Sequence, residues 1–166
     1  KRTSANLNTF TPPDSTFDVR QNVYNLGLSD ARTLSSTRVV ELSGQFSHYS
    51  VDVNGRGDLP MVLQPKGVSG SYFNRQGRRT DALQVLATMS DFKPDWLGEH
   101  LFKIGVDLLQ SRYDGDSSSL PVEIRRDDGT LARLITFSDA SHIETSSIDL
   151  GVFLQDRWRP VPRLLF

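Results

Sequence analysis

The chain has 166 residues, no cysteine and a formal net charge of -1, from 19 basic and 20 acidic residues. This length fits one domain or part of a larger one, and the near-neutral charge argues against a nucleic-acid partner, which a basic excess on one face would indicate. The lack of cysteine excludes disulfides and thiolate metal sites. The sequence has no run of about 18 apolar residues, so it predicts no transmembrane helix.

The opening segment, Lys1 to Ser15, contains Pro12-Pro13 and is predicted to be a loop. It begins with Lys1 rather than methionine and has no signal-peptide features, so we expect a fragment or a processed chain. The next segment, Asn22 to Ser29, places Tyr24, Leu26 and Leu28 at alternate positions. This spacing predicts a short strand.

The clearest alternating run is Thr37 to Val53. Its even positions are small or apolar: Val40, Leu42, Gly44 and Phe46. Its odd positions are polar: Glu41, Ser43, Gln45 and Ser47. Successive strand residues face opposite sides of a sheet. The run therefore predicts a strand with one apolar face and one polar face.

Three later runs alternate in the same way: Ala82 to Asp91, His100 to Tyr113, and Ser147 to Trp158. Leu86 breaks the pattern of the first run, because it falls among polar positions. Leu164 to Phe166 is predicted to begin a further strand. Helical periodicity is weak throughout, so the sequence indicates an all-β chain.

The predicted connectors alternate between short and long. The short ones are Asp30 to Ser36, Lys93 to Glu99 and Arg159 to Pro162, and the long ones are Asn54 to Arg79 and Asp114 to His142. Transmembrane barrels have short periplasmic turns at one rim and long extracellular loops at the other. Soluble β-sandwiches instead have turn signals at intervals of about 8–12 residues.

The second long connector contains a hairpin signal. Val122 to Arg126 and Thr130 to Thr136 are rich in β-prone residues and flank Asp127-Asp128-Gly129. An Asp-Gly pair favours a tight turn, because glycine supplies the positive φ that such turns need. We predict an extracellular hairpin here.

The fold prediction is an antiparallel up-and-down meander of about five to six strands plus this hairpin, forming part of a transmembrane β-barrel wall. The best runs reach the roughly 9–11 residues that a tilted strand needs to cross a membrane. Aromatic residues fall near the predicted strand ends, as is expected at the two membrane–water interfaces. They are Tyr49, Phe92, Trp96, Tyr113 and Trp158. The alternative is a soluble β-sandwich that binds a carbohydrate-type ligand, with the apolar faces packed against each other.

No motif predicts catalysis, a cofactor or a metal centre. His48, His100 and His142 lack metal-ligand spacing. Gly67 to Ser71 fails the nucleophile-elbow pattern and is predicted to be flexible loop. The acidic clusters Asp114-Gly115-Asp116 and Asp127-Asp128-Gly129 lack the spacing of a calcium loop, so turns are the better prediction for both.

The only ligand-binding candidates are basic residues in the first long connector. Arg75, Arg78 and Arg79 form a small patch that we place on an outer loop. Such a patch could contact anionic lipopolysaccharide or an imported ligand. A plain solvated loop explains it as well.

Two segments resemble motifs of one known family. Residues 98–107, GEHLFKIGVD, resemble a strand opening that is common in the barrels of TonB-dependent receptors. Residues 153–159, FLQDRWR, followed by Arg163-Leu164, resemble that family's strand end, periplasmic turn and next strand. Phe73 to Gln76 and Arg79 to Asp81 also fit the Oar-like subfamily, so the resemblance covers roughly residues 20 to 166.

The resemblance implies that residues 1–166 form part of a receptor barrel domain and that they include neither the plug nor the TonB box. It implies a bacterial outer-membrane location and contacts with outer-membrane lipid. The parent protein would hold a plug domain, engage the TonB complex and import a scarce small ligand such as an iron chelate, cobalamin or a glycan. The expected role of this chain is barrel wall and extracellular loops, with no enzymatic activity.

Overall fold

The computed structural model describes residues 2–161 of the chain. Strands account for 75% of the model, and no α-helix occurs in the described range. One short 3-10 helix covers Pro13–Ser15. Between residues 2 and 161, no helix is long and apolar enough to cross a lipid bilayer.

Within residues 2–161, ten strands form two sheets. In chain order they are β1 Arg2–Ala5, β2 Phe17–Ser35, β3 Arg38–Gly55, β4 Met61–Gln64, β5 Gly67–Ser69, β6 Asn74–Lys93, β7 Glu99–Ser119, β8 Val122–Arg125, β9 Leu131–Ile135 and β10 Ser141–Arg159. One sheet has the order β1-β2-β3-β6-β7-β10, and the other has the order β5-β4-β8-β9. The larger sheet is antiparallel and up-and-down, as predicted, and neither sheet closes within the part of the chain that the structure describes.

The chain divides into two compact units, which are described separately. Of the described residues, unit 1 holds 2–23, 48–80 and 113–145, and unit 2 holds 24–47, 81–112 and 146–161. The strands β2, β3, β6, β7 and β10 each supply residues to both units.

Unit 1 contains the whole of the four-stranded sheet. β4 pairs antiparallel with β5 and parallel with β8, in the register Met61↔Val122, and β8 pairs antiparallel with β9. The only buried apolar side chains of the described region are Ala5 and Val122. Aromatic rings of this unit also contact each other. The ring centroid of Tyr72 lies 4.4 Å from that of Phe17 and 5.2 Å from that of Phe73, and the centroids of Phe73 and Phe137 lie 5.6 Å apart.

Hydrogen bonds attach the N-terminal segment of unit 1 to β5 and the residue that follows it. The backbone N–H of Val68 donates to the carbonyl of Phe10 at 2.7 Å. The fully buried Ser15 donates its hydroxyl to the carbonyl of Gly70 at 2.7 Å. A buried hydroxyl needs such a partner, because burying it unpaired is costly. The prediction of a plain loop for Lys1 to Ser15 is therefore wrong at β1 and at the 3-10 helix.

The Asp127-Asp128-Gly129 turn between β8 and β9 is confirmed. Gly129 has a φ of +83°, and its N–H donates to the carbonyl of Arg126 at 3.0 Å. The carboxylate of Asp128 accepts hydrogen bonds from both the N–H and the hydroxyl of Thr130, at 2.9 and 2.7 Å. β8 of this hairpin also pairs with β4, a contact that the sequence did not indicate.

Unit 2 consists of the remaining portions of β2, β3, β6, β7 and β10, which neighbour each other in that order. Two residues, Ser36 and Thr37, link β2 to β3, and the N–H of Phe92 donates to the carbonyl of Thr37 at 2.8 Å. The turn between β6 and β7 requires glycine at Gly98, where φ is +113° and a Cβ would overlap the carbonyl of Arg159.

The long strands extend further than the alternating runs predicted. The short connector Lys93 to Glu99 is confirmed, but most of Asp30 to Ser36 belongs to β2. The predicted long connector Asn54 to Arg79 contains β4, β5 and the start of β6. The predicted long connector Asp114 to His142 begins inside β7 and ends inside β10. These ends carry polar residues on both faces, so alternation gives no signal there even though backbone pairing continues.

Two smaller predictions change for the same reason. Gly67 to Ser71 is not wholly loop, because its first three residues form β5. Asp114-Gly115-Asp116 is not a turn but lies inside β7. The predicted strand start at Leu164 to Phe166 lies outside the described residues.

Candidate functional site on the two faces of unit 2

Unit 2 has a polar face on which hydrogen bonds join neighbouring strands. Glu41 of β3 accepts a hydrogen bond from the Thr88 hydroxyl of β6 at 3.0 Å. The Lys103 ammonium of β7 lies 3.7 Å from the same carboxylate oxygen. These contacts place the odd positions of β3 and β7 and the even positions of β6 on one side of the sheet, as the alternation predicted.

The same face continues along β6, β7 and β10. The Gln84 amide donates to both carboxylate oxygens of Asp107 at 3.0 Å. The hydroxyls of Ser111 and Ser147 lie 2.8 Å apart, and Ser147 also donates to Asp149 at 3.4 Å. Polar side chains that bond to each other across strands fix the register of a sheet. Leu86, an even position of β6, lies on the same face as Gln84 and Thr88.

The opposite face of unit 2 consists of rows of solvent-exposed aliphatic side chains. On β7 the exposed fractions of Ile104, Val106 and Leu108 are 42%, 43% and 41%. On β10 the row is more exposed still, at 71%, 70%, 68% and 75% for Ile148, Leu150, Val152 and Leu154. A contiguous exposed apolar surface of this kind marks a place where a protein or a membrane is contacted.

An aromatic cluster lies where β7 begins and β10 ends. The ring of His100 stacks between those of Phe102 and Trp158, with centroid distances of 5.3 and 5.6 Å and interplanar angles of 7° and 13°. Trp96 in the preceding turn contacts both His100 and Phe102, at 5.2 and 5.7 Å. The sequence predicted interfacial aromatics at Trp96 and Trp158 but did not predict that they share one cluster.

Polar contacts hold this aromatic cluster in place. His100 Nδ1 lies 2.7 Å from a carboxylate oxygen of Asp156. The indole N–H of Trp158 donates to the carbonyl of Leu97 at 3.0 Å, and Arg159 pairs with Glu99 at 3.0 Å. All these residues except Leu97 belong to the two segments that resemble receptor motifs. Those segments, which are distant in sequence, therefore meet in the fold.

The three arginine candidates lie in β6 rather than on a loop, which corrects their predicted setting. Arg75 donates to the carbonyl of Gly57 at 2.6 Å and to Asp58 at 2.7 Å. Arg78 and Arg79 are exposed, and as neighbours in a strand they face opposite sides. Arg78 therefore faces the opposite side of β6 from Arg75 and Arg79.

The three histidines lie apart from any metal-ligand group. Within the described range, no group of three or more His, Cys, Asp or Glu side chains could hold a metal ion. His100 belongs to the aromatic cluster, whereas His142 of unit 1 pairs with Asp116 at 2.8 Å. Sequence spacing gave no signal for either pair, because the partners are far apart along the chain.

Comparisons with known proteins add no named relative. The chain matches no protein-family model, no curated protein and no solved structure.

Proposed function

We propose that this chain is part of the wall of an outer-membrane β-barrel of the TonB-dependent transporter class. The parent protein imports a scarce small ligand, an iron chelate, cobalamin or a glycan, with energy supplied through the TonB complex. The exposed aliphatic face of unit 2 contacts lipid, and the polar face lines a lumen that holds the plug domain of the parent. The long connections after β3 and after β7 contribute to its extracellular side.

One observation carries the membrane part of this proposal. The aliphatic rows of unit 2 are exposed, while the opposite face is polar and bonded across strands. Burial of apolar area is the main driving force of folding in water, with about 25 cal/mol for each Å² buried. A sheet that leaves these rows uncovered gains that free energy only when another apolar phase covers them. Lipid is such a phase.

The dimensions of the aliphatic rows also suit a bilayer. We place the aliphatic rows 83–89 of β6, 102–108 of β7 and 148–154 of β10 at the centre of each membrane crossing. The strands that carry these rows have 20, 21 and 19 residues, more than the roughly 9–11 that a tilted strand needs to cross a membrane. The aromatic cluster of Trp96, His100, Phe102 and Trp158 then lies at one interface, where such rings are favoured.

The TonB-dependent part of the proposal rests on the resemblance of residues 98–107 and 153–159 to receptor motifs. Their meeting in one cluster supports it, since motifs of one functional unit are expected to contact each other. The soluble β-sandwich alternative requires the aliphatic rows to pack against each other. Their exposure favours the membrane proposal instead.

The test uses the absence of cysteine, which makes every introduced thiol unique. The full chain is placed in lipid vesicles with a fluorescent label at Val106→Cys or Leu150→Cys on the aliphatic face. The matched controls are Asp107→Cys and Asp149→Cys, one residue away on the polar face. We expect brominated lipids to quench the first pair strongly and the second pair weakly.

Equal quenching of the two faces would contradict the assignment of lipid to the aliphatic face. The transporter part is tested separately, by fractionating cells that express the parent gene and measuring ligand uptake with and without a functional TonB complex. Outer-membrane recovery with TonB-independent uptake would retain the barrel proposal and remove the TonB proposal.

A further inference from the structure

The first residues of β10 are held along one edge only. Within residues 2–161, β10 is the last strand of its sheet, and β7 is the strand beside it. Residues 136–140, which lead into β10 from β9, belong to no strand, and residues 141–145 are exposed. This part of the chain can therefore separate from β7 without breaking the pairing of any other described strand.

The imidazole of His142 makes ionic contacts between the start of β10 and β7. Its Nδ1 lies 2.8 Å from a carboxylate oxygen of Asp116, and its Nε2 lies 3.8 Å from one of Asp114. A protonated imidazole has an N–H at both nitrogens, whereas a neutral one has an N–H at only one. Only the protonated form therefore presents a positive charge and a donor to both carboxylates.

The register of the two strands sets a carboxylate of β7 against one of β10. Ser111 and Ser147 lie opposite each other, and the contact of Asp116 with His142 has the same register. Asp114 and Glu144 consequently face each other across the strand pair. Like charges that are directly opposite destabilise a strand pair. A cation at His142, next to both groups, offsets their repulsion.

The other charged groups around His142 are mainly acidic. Five carboxylates belong to the cleft that His142 lines or to the charged groups paired or facing there, namely those of Asp52, Asp58, Asp114, Asp116 and Glu144. Two guanidinium groups oppose them, from Arg75 in the same cleft and from Arg112 in the same row of β7 as Asp114. Five negative and two positive charges leave a net charge of -3 around a neutral imidazole.

These surroundings favour the protonated imidazole. The hydrogen bond with Asp116 is the largest cause of the raised pKa of His142, and the charges of Asp116, Asp114 and Glu144 contribute to it. Separation of β10 from β7 would remove the contacts with Asp116 and Asp114. The attached form of the strand therefore binds the proton more tightly than the detached form does.

We propose that His142 is a pH-sensitive clasp that fastens the start of β10, residues 138–145, to β7. The imidazolium holds this segment attached, and loss of its proton favours detachment. The detached fraction is lowest below the ordinary pKa of a histidine and rises as the pH passes through the raised value. Phe137, whose ring stacks on that of Phe73 at 5.6 Å, keeps the chain before the segment in place. The inference uses residues of β7 and β10 and does not depend on the transporter function.

The test is hydrogen exchange of the full chain in detergent micelles, read by mass spectrometry between about pH 5 and 9, where histidines titrate. Protection is taken relative to the intrinsic exchange rate at each pH. The peptide of interest covers residues 138–145, and the reference peptide covers β8 of the same unit. The variants are His142→Arg, which keeps a cation at every pH, and His142→Gln, which has none. The matched control is His48→Gln, which removes the other histidine of unit 1.

We expect the protection of residues 138–145 to fall about two- to fivefold as the pH rises through the raised pKa, the range that exposed charge pairs produce. The reference peptide should stay constant. His142→Arg should remain protected and His142→Gln unprotected at every pH, whereas His48→Gln should respond as the natural chain does. Constant protection in the natural chain, or a pH response that persists in His142→Gln, would overturn the proposal. An equal loss in the reference peptide would overturn it too, because the whole unit would then be opening.

Discussion

The ring of Phe153 in β10 lies over Gly105 of β7, in the space that a Cβ at Gly105 would occupy. Gly105 is buried, although it lies in the interior of a long strand where glycine is otherwise unfavourable. An aromatic ring that covers a glycine on the neighbouring strand packs against its backbone and helps to hold the register. Gly105 and Phe153 therefore form one packing unit across the two strands.

Gly105→Ala should destabilise the chain by about 1–3 kcal/mol, because the new methyl group displaces the Phe153 ring. The matched control is Gly27→Ala in β2, where a Cβ meets no atom within 4 Å. There the substitution should be neutral or slightly stabilising, because alanine is less flexible than glycine when unfolded. Urea unfolding in lipid vesicles measures both, and equal stabilities would show that the ring does not depend on Gly105.

The two faces of β7 should differ in their tolerance of charge. Val106→Arg places a cation among the aliphatic rows and should cost about 2–4 kcal/mol in a bilayer. Lys103→Gln on the polar face removes a partly exposed ion pair and should change the free energy of unfolding by less than about 1 kcal/mol. Unfolding in vesicles checks the pair of variants, and similar costs at the two positions would contradict the facing assignment.

The tryptophans provide an intrinsic depth probe, because the chain has only Trp96 and Trp158 and both belong to the aromatic cluster. If the cluster lies at the headgroup level, lipids brominated near the headgroup should quench the fluorescence more than lipids brominated near the chain ends. The reverse order would place the cluster in the middle of the bilayer. No quenching by either lipid would place it outside the membrane.

Asp116, aided by Asp114 and Glu144, raises the pKa of His142 above its ordinary value of 6.5. A raised pKa means that this pair stabilises the fold fully below the ordinary value, and that the contribution disappears as the pH rises through the raised pKa. NMR titration of the imidazole should show the raised value, and Asp116→Asn should move it back towards 6.5. An unchanged pKa in that variant would assign the shift to other groups.

The hairpin turn should respond to acid in the opposite sense. Hydrogen bonds from the Thr130 hydroxyl and N–H lower the pKa of Asp128 below 3.8. Their stabilisation is present above the ordinary pKa and is lost as the pH falls through the lowered one. The protection of the Thr130 amide, taken relative to its intrinsic exchange rate at the same pH, should fall in that acidic range in the natural chain. In Asp128→Ala the exchange should already be fast at neutral pH, and slow exchange in that variant would contradict the assigned role.

The sequence alone determined the secondary-structure class and the two faces of the long strands. Alternation at positions such as Leu42 and Glu41, or Val106 and Asp107, has a period of two whatever the chain packs against. The Asp127-Asp128-Gly129 turn was equally predictable, because only glycine readily adopts the positive φ at its last residue. These features depend on local backbone geometry.

Only the tertiary structure decided which distant residues meet. The β4–β8 pairing is parallel and joins two connectors, which no local pattern could indicate. The contacts of His100 with Asp156, and of His142 with Asp116, join residues that are far apart in the chain. Side-chain alternation says which way a residue points along its strand, whereas register and sheet order set its neighbours, and these depend on pairing across the whole chain.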